Sequence, residues 1–259
     1  MPTDLPPSLL LAIAAVFLLA GVVKGIIGLG LPTVAIGLLA TRMPPAQALA
    51  ITIMPAIVTN LWQTFAGGHL RDILRRLWPL MIGTCLGIWA GSGLMTGPYA
   101  RYGTVVLGVL LIIYAAIGLR HFRFTVAPER QRWVGGGIGL VTGVIAAATG
   151  VQVIPSMPYM QAIGMEKDEL VQALGVFFTT ATLALSFNLT AAGLLSAATA
   201  LPGAVALCTA FAGMALGQVV RARMDAAAFR RWFLYALIAL GLYLIATALA
   251  SLLGGARPV

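Results

Sequence analysis

In a chain this apolar, chemistry depends on the few places where a charged, polar or backbone-permissive residue interrupts the hydrocarbon. One is the stretch Lys24-Gly25-Ile26-Ile27-Gly28-Leu29-Gly30-Leu31-Pro32-Thr33; another runs from Thr142 through Gly143, Ala146, Ala148 and Gly150 to Gln152. Glycine allows tight turns and close approach of a ligand to the backbone, and Pro32 suits the first turn of a new helix. A helix that starts at such a break points unpaired N–H groups and its positive dipole end at the protein interior. Two such starts converging near the bilayer midplane would hold an anionic group, as secondary transporters do.

Neutral polar residues supply the remaining candidates. Asn60 and Gln63 lie in one apolar run and Ser186 and Asn188 in another, with Thr52, Thr179 and Thr180 further along the same pair. An amide or hydroxyl in lipid is costly unless satisfied, so these groups face the protein interior. Amide N–H and hydroxyl donors bind an oxyanion without neutralising it, which permits release. The plainer alternative is interhelical hydrogen bonding, worth about 0.6 kcal/mol per bond. The candidate anion-binding set is Lys24, Gly28, Gly30, Pro32, Thr33, Thr52, Asn60, Gln63, Gly150, Gln152, Thr180 and Asn188. Lys24 reads two ways: a counter-charge beside the first break, or a long side chain snorkelling to the cytoplasmic interface, which is the favoured reading. Arg42 and Arg101, at expected outer turns, read as interfacial arginines rather than as an electrostatic funnel.

Several chemistries are excluded. The seven acidic residues, Asp4, Asp72, Glu129, Glu166, Asp168, Glu169 and Asp225, fall at termini, loops or span ends, and His69 and His121 are also in loops. No acid/base pair, metal-ligand cluster or proton-relay carboxylate is expected within a span, which argues against a membrane hydrolase, a metalloenzyme or a carboxylate-driven pump. No catalytic residue, metal or cofactor is expected.

The elements that must position these residues follow from composition. Of 259 residues, 60% are hydrophobic and 9% charged, against about 25% charged in a soluble domain. Mean hydropathy is +0.99. This describes an all-α polytopic membrane protein and excludes a soluble enzyme or a nucleic-acid reader; the net charge of +9 sits in short basic loops, as in an inner-membrane protein. The first eight residues carry no Lys or Arg, so the first apolar run is expected to be a retained span rather than a cleaved signal.

A span needs about 20 apolar residues. Eight long candidates run over 8–28, 45–67, 77–96, 99–119, 133–149, 170–191, 197–220 and 232–253, with two short, broken or re-entrant pieces at 31–40 and 151–163. The chain also repeats: Gly21-x-x-x-Gly25 returns as Gly139-x-x-x-Gly143, Gln47-Ala48-Leu49 as Gln172-Ala173-Leu174, Gln63 as Asn188, and Pro79 and Cys85 as Pro202 and Cys208. Two homologous halves result, 1–122 and 133–259, joined by a basic linker at 123–132. The basic stretches 69–76, 120–132 and 221–231 are expected in the cytoplasm. They share that side if each half crosses five times and the halves are inverted. Eight spans in parallel repeats are the rival. Glycines four apart (Gly83, Gly87 and Gly91; Gly213 and Gly217) read as helix-packing faces that would also permit a homodimer.

The Gly25-x-x-Gly28-x-Gly30 stretch with a short apolar run, repeated after a basic linker, is similar to the TauE/SafE sulfite-exporter family over nearly the whole chain. Half one keeps Gly28 and Gly30 but has Gly37 where the family usually has proline; half two keeps Pro155 but has Ala146 and Ala148 in place of glycines. The resemblance implies a bacterial inner-membrane carrier of sulfite, sulfonates or related small anions. Substrate would lie between the two breaks and the Gln63 and Asn188 helices, with one half moving against the other. Without an embedded carboxylate, the expectation is facilitated movement, exchange, or coupling through the substrate's own proton. Two rivals are a thiol relay through Cys85 and Cys208, which needs reactive, accessible thiols, and a membrane scaffold without transport.

Overall fold

The computed structural model describes residues 6–95, 102–120, 125–165, 167–195, 197–221, 223 and 226–253. Asp4, Arg101, His121, Glu166 and Asp225 lie outside the described residues, as does the side chain of Asp168. Among the described residues the structure is helical with no strand: α1 Pro7–Ile27, α2 Leu31–Leu39, α3 Pro45–Phe65, α4 Leu70–Ala90, α5 Gly103–Arg120, α6 Gln131–Thr149, α7 Ser156–Ala162, α8 Lys167–Ala191, α9 Ala200–Arg221 and α10 Ala226–Leu253. Among the described residues seven helices are long and apolar enough to cross a membrane, against the eight long spans expected. The difference is α4: it begins at Leu70, not 77, and its first two turns carry Arg71, Asp72, Arg75 and Arg76.

Both breaks form where a left-handed residue is required. α1 stops because Gly28 adopts φ 87° and its N–H returns to the Lys24 carbonyl at 2.7 Å; Gly30, at φ 99°, then starts α2 with Pro32 in the first turn. α6 stops the same way at Gly150, φ 75°, whose N–H bonds to Ala146 O at 2.7 Å. Ala146 and Ala148 are still helical there, so the missing glycines are not needed. The next helix starts later than expected: 151–155 is non-helical and α7 spans only Ser156–Ala162.

Close packing holds the bundle. A Cβ on Gly21 would overlap the Ala210 carbonyl oxygen, and one on Gly25 that of Met214, so α1 lies backbone to backbone on α9. Likewise Gly139 meets Leu80 O and Gly143 meets Thr84 O, bringing α6 onto α4. Return contacts run from Gly213 to Leu18 O, Gly217 to Val22 O, Gly83 to Gly136 O and Gly87 to Leu140 O. The glycine faces are thus occupied within the chain. In both pairs the residue numbers rise together, so the helices are parallel. Each contact has a counterpart with the roles exchanged, and in that exchange Gly83 corresponds to Gly213 and Gly87 to Gly217. Cys85 therefore corresponds to Ala215, not to Cys208, and the pairing of Pro79 with Pro202 is displaced by two helical turns.

α3 and α8 are antiparallel: Gln172 Nε2 donates to Thr64 O and Gly67 O, both at 2.9 Å, and Gln172 Oε1 accepts from the His69 N–H at 2.9 Å. α5 and α10 are antiparallel as well, with Gly108 and Gly241 against each other's carbonyls and Gly118 against Leu234. Arg76 joins the start of α4 to Gln131 at 3.4 Å and to the Ile163 carbonyl. These contacts gather the ends bearing 69–76, the described part of 120–132, and the start of α10 at one end of the bundle.

The packing makes a testable contrast within one helix. Gly139→Ala should lower the thermal midpoint of the detergent-solubilised protein, with a cost of about 1–3 kcal/mol from overpacking. Gly137→Ala, where a Cβ meets nothing within 4 Å, should leave that midpoint unchanged or raise it.

Candidate functional site

The first break carries a buried polar cluster. Lys24 is not at the interface: it is 3% exposed, and its Nζ donates to Thr59 Oγ1 at 3.0 Å and to Asn60 Oδ1 at 2.6 Å. The snorkelling expectation fails because α3 offers two acceptors beside the last turn of α1. Pro55 sits inside α3, and Thr59 Oγ1 donates to its carbonyl at 2.7 Å, which leaves the threonine lone pairs free for the lysine. One turn on, Gln63 Nε2 donates to Gly28 O at 2.7 Å, tying α3 to the break itself. Among the described residues no carboxylate pairs with Lys24; the ion pair found there joins Arg76 to Glu169 at 3.8 Å, at the basic end.

Two polar atoms in this cluster have no hydrogen-bond partner among the described residues: Asn60 Nδ2 and Gln63 Oε1. Asn60 is fully buried and Gln63 8% exposed. A buried amide without its hydrogen bond costs about 1–3 kcal/mol. An ammonium has a third N–H beyond the two accounted for. The α2 N-terminus, which follows directly, has no side-chain cap. Of these groups the Lys24 ammonium and the Asn60 amide N–H are donors, and Gln63 Oε1 is an acceptor.

The second break is built from different groups. Gln152 is buried and its amide meets Thr182 Oγ1 on α8 at 3.3 Å. Asn188 Nδ2 donates to Ile88 O at 2.8 Å, and Asn188 lines a cavity with Leu49, Ser92, Ala147 and Leu189. The two breaks do not meet at one level. Gly28 approaches Val171 in the second turn of α8, whereas Gly150 lies against Leu49 in the second turn of α3, and those turns are at opposite ends of the antiparallel pair.

Lys24, Gly28, Asn60 and Gln63 are thus joined by hydrogen bonds, and Gly30, Pro32 and the buried Thr33 shape the start of α2. Thr52 and Thr180 are not brought into this cluster: their hydroxyls bond to Ala48 O at 2.7 Å and Val176 O at 3.0 Å, in their own helices. Thr59, Thr182 and Gln172 were missing from the candidate set. Thr59 adjoins Asn60 on the polar side of α3, and Gln172 stood out only as a marker of the repeat. Cys85 is half-buried and Cys208 exposed, both free. α4 packs on α6 and α8, whereas α9 packs on α1 and α3. Among the described residues no group of three His, Cys, Asp or Glu could hold a metal ion.

A bundle of apolar helices, two of them preceded by left-handed glycine breaks, the first break lying beside a buried cation, defines a polytopic membrane protein. The family model described as sulfite exporter TauE/SafE matches residues 13–244, and the chain belongs to that family of membrane transporters. No curated protein and no solved structure shows significant similarity to the chain.

The lysine bond sets a stability prediction. Asn60→Leu should destabilise the protein by about 1–3 kcal/mol in detergent unfolding, because it strips a buried ammonium of an acceptor. Adding Lys24→Met to that variant should recover part of the loss, and strictly additive effects would deny the coupling.

Proposed function

We propose that this protein carries small sulfur-containing oxyanions, such as sulfite or organosulfonates, across the bacterial inner membrane. One observation carries the reading: a lysine buried within a span, without a carboxylate partner among the described residues, beside amides with unused hydrogen-bonding capacity. An ionisable residue within the membrane is a functional site by default. Lys24 supplies the counter-charge, Asn60 and Gln63 orient the anion, and the N–H groups at the start of α2 add the favourable end of a helix dipole. From there the path follows α3 and α8 past Gln152 and Thr180 toward Asn188 and its cavity.

The exchange of contacts between α1–α9 and α6–α4 supports two halves related by inversion, with residues 123–132 between them. Each half has one short and four long helices in the same order, and five passages return both termini to one side. Gathering of the basic segments at one end supports a cytoplasmic assignment of that end under the positive-inside rule. The inner membrane is the matching location.

Flux into proteoliposomes tests the assignment. A panel of sulfite, methanesulfonate and sulfoacetate should include an anion with saturable flux above empty vesicles. Lys24→Met should lower that flux by about 10–100-fold, the loss of one charge-assisted contact. A Gln63→Ala, Asn188→Ala double variant that elutes as intact protein should also lose it. Flux unaffected by all three changes would move the site elsewhere in the bundle.

A further inference from the structure

The two unpartnered atoms at the first break differ in kind, and their orientations are set by their neighbours. An ammonium has donors only, so the Asn60 group bonded to Lys24 must be its oxygen, and Nδ2 is turned the other way. Gly28 O is an acceptor, so the Gln63 group bonded to it must be the nitrogen, and Oε1 is turned away. Neither amide can be flipped without setting like against like. Asn60 and Gln63 are three residues apart on α3, neighbours on one helix face about 5–6 Å between Cβ atoms, and Lys24 adjoins Asn60. The cluster thus presents donors, on Lys24 and Asn60, and one buried acceptor, on Gln63.

Resting on the oxyanion reading above, we propose that this site selects a monoanion that still carries an acidic O–H on its charged centre. Gln63 Oε1 accepts the hydrogen bond from that O–H, while Lys24 Nζ and Asn60 Nδ2 donate to the other oxygens. A fully deprotonated oxyanion offers lone pairs only, and would set one against the buried Gln63 oxygen. A monoanion is balanced by the single ammonium, whereas a dianion leaves a net negative charge in the cluster. Gln63 is the specificity-determining residue. The proton travels on the substrate, so no carboxylate is needed in the spans to move it.

The test uses two anions of the same shape and charge. In hydrogen sulfite a hydroxyl stands where methanesulfinate has a methyl. Full-length protein in proteoliposomes should move hydrogen sulfite on the order of tenfold faster than methanesulfinate, because a site built around a hydrogen bond rejects the analogue that cannot make it. Gln63→Met, similar in size but without the amide oxygen, should bring the two rates within about twofold of each other. Should that variant fail to fold, the wild-type thermal midpoint still decides: hydrogen sulfite should raise it at concentrations where methanesulfinate does not. Equal fluxes and equal stabilisation by both anions would overturn the selection by Gln63 and leave the oxyanion assignment standing. Neither flux nor stabilisation with either anion would overturn both.

Discussion

Everything at the first break depends on keeping one ammonium in a medium without water. A lysine within an apolar helix must reach the interface or find its acceptors in the protein. Here it finds them on α3, and this explains why a helix otherwise suited to lipid carries Thr59, Asn60 and Gln63 in succession. The Thr59 hydroxyl donates to the Pro55 carbonyl one turn back, so the hydroxyl lone pairs point at the lysine. Gln63 then extends the same face to Gly28, where α1 ends. Stopping α1 at a left-handed glycine, rather than continuing it, is what exposes a backbone carbonyl for Gln63 to hold. Charge, break and polar face form one unit.

Most of the bundle was legible in the sequence because the bilayer makes length and hydropathy nearly sufficient. Expected spans such as 8–28, 45–67 and 133–149 lie within two residues of α1, α3 and α6. The breaks were legible as well, since Gly28, Gly30 and Gly150 take a backbone conformation that other residues avoid. Lys24 was not. Whether a lysine near a helix end snorkels or turns inward depends on what another helix presents, and that is a tertiary fact. α7 was placed too early because Val151, Val153 and Ile154 are as apolar in an extended segment as in a helix. The matched prolines and cysteines of α4 and α9 misled by two turns because neither residue makes the contact that sets the register; the glycines do.

The candidate site divides along the same line. Residues tied to backbone geometry, Gly28, Gly30, Pro32 and Gly150, were readable from type and spacing. Amides could be nominated but not aimed: Asn60 and Asn188 are both span amides in the sequence, yet one bonds to a lysine and the other to the Ile88 carbonyl. Hydroxyls were the least informative, because Thr52 and Thr180 bond to their own helices, where a threonine is nearly self-sufficient.

The glycine seams bear on how such a protein could open. Each of these tight pairs takes one helix from the first five and one from the last five: α1 with α9, α4 with α6, and α5 with α10. The halves are stitched together along three seams where there is no room for a methyl group. A rocking bundle hinged between the halves would have to unpick all three at every turnover. Among the described residues the short α2 and α7 make no glycine-to-carbonyl contact of this kind, so a motion of these two pieces about Gly28–Gly30 and Gly150 would leave the seams closed.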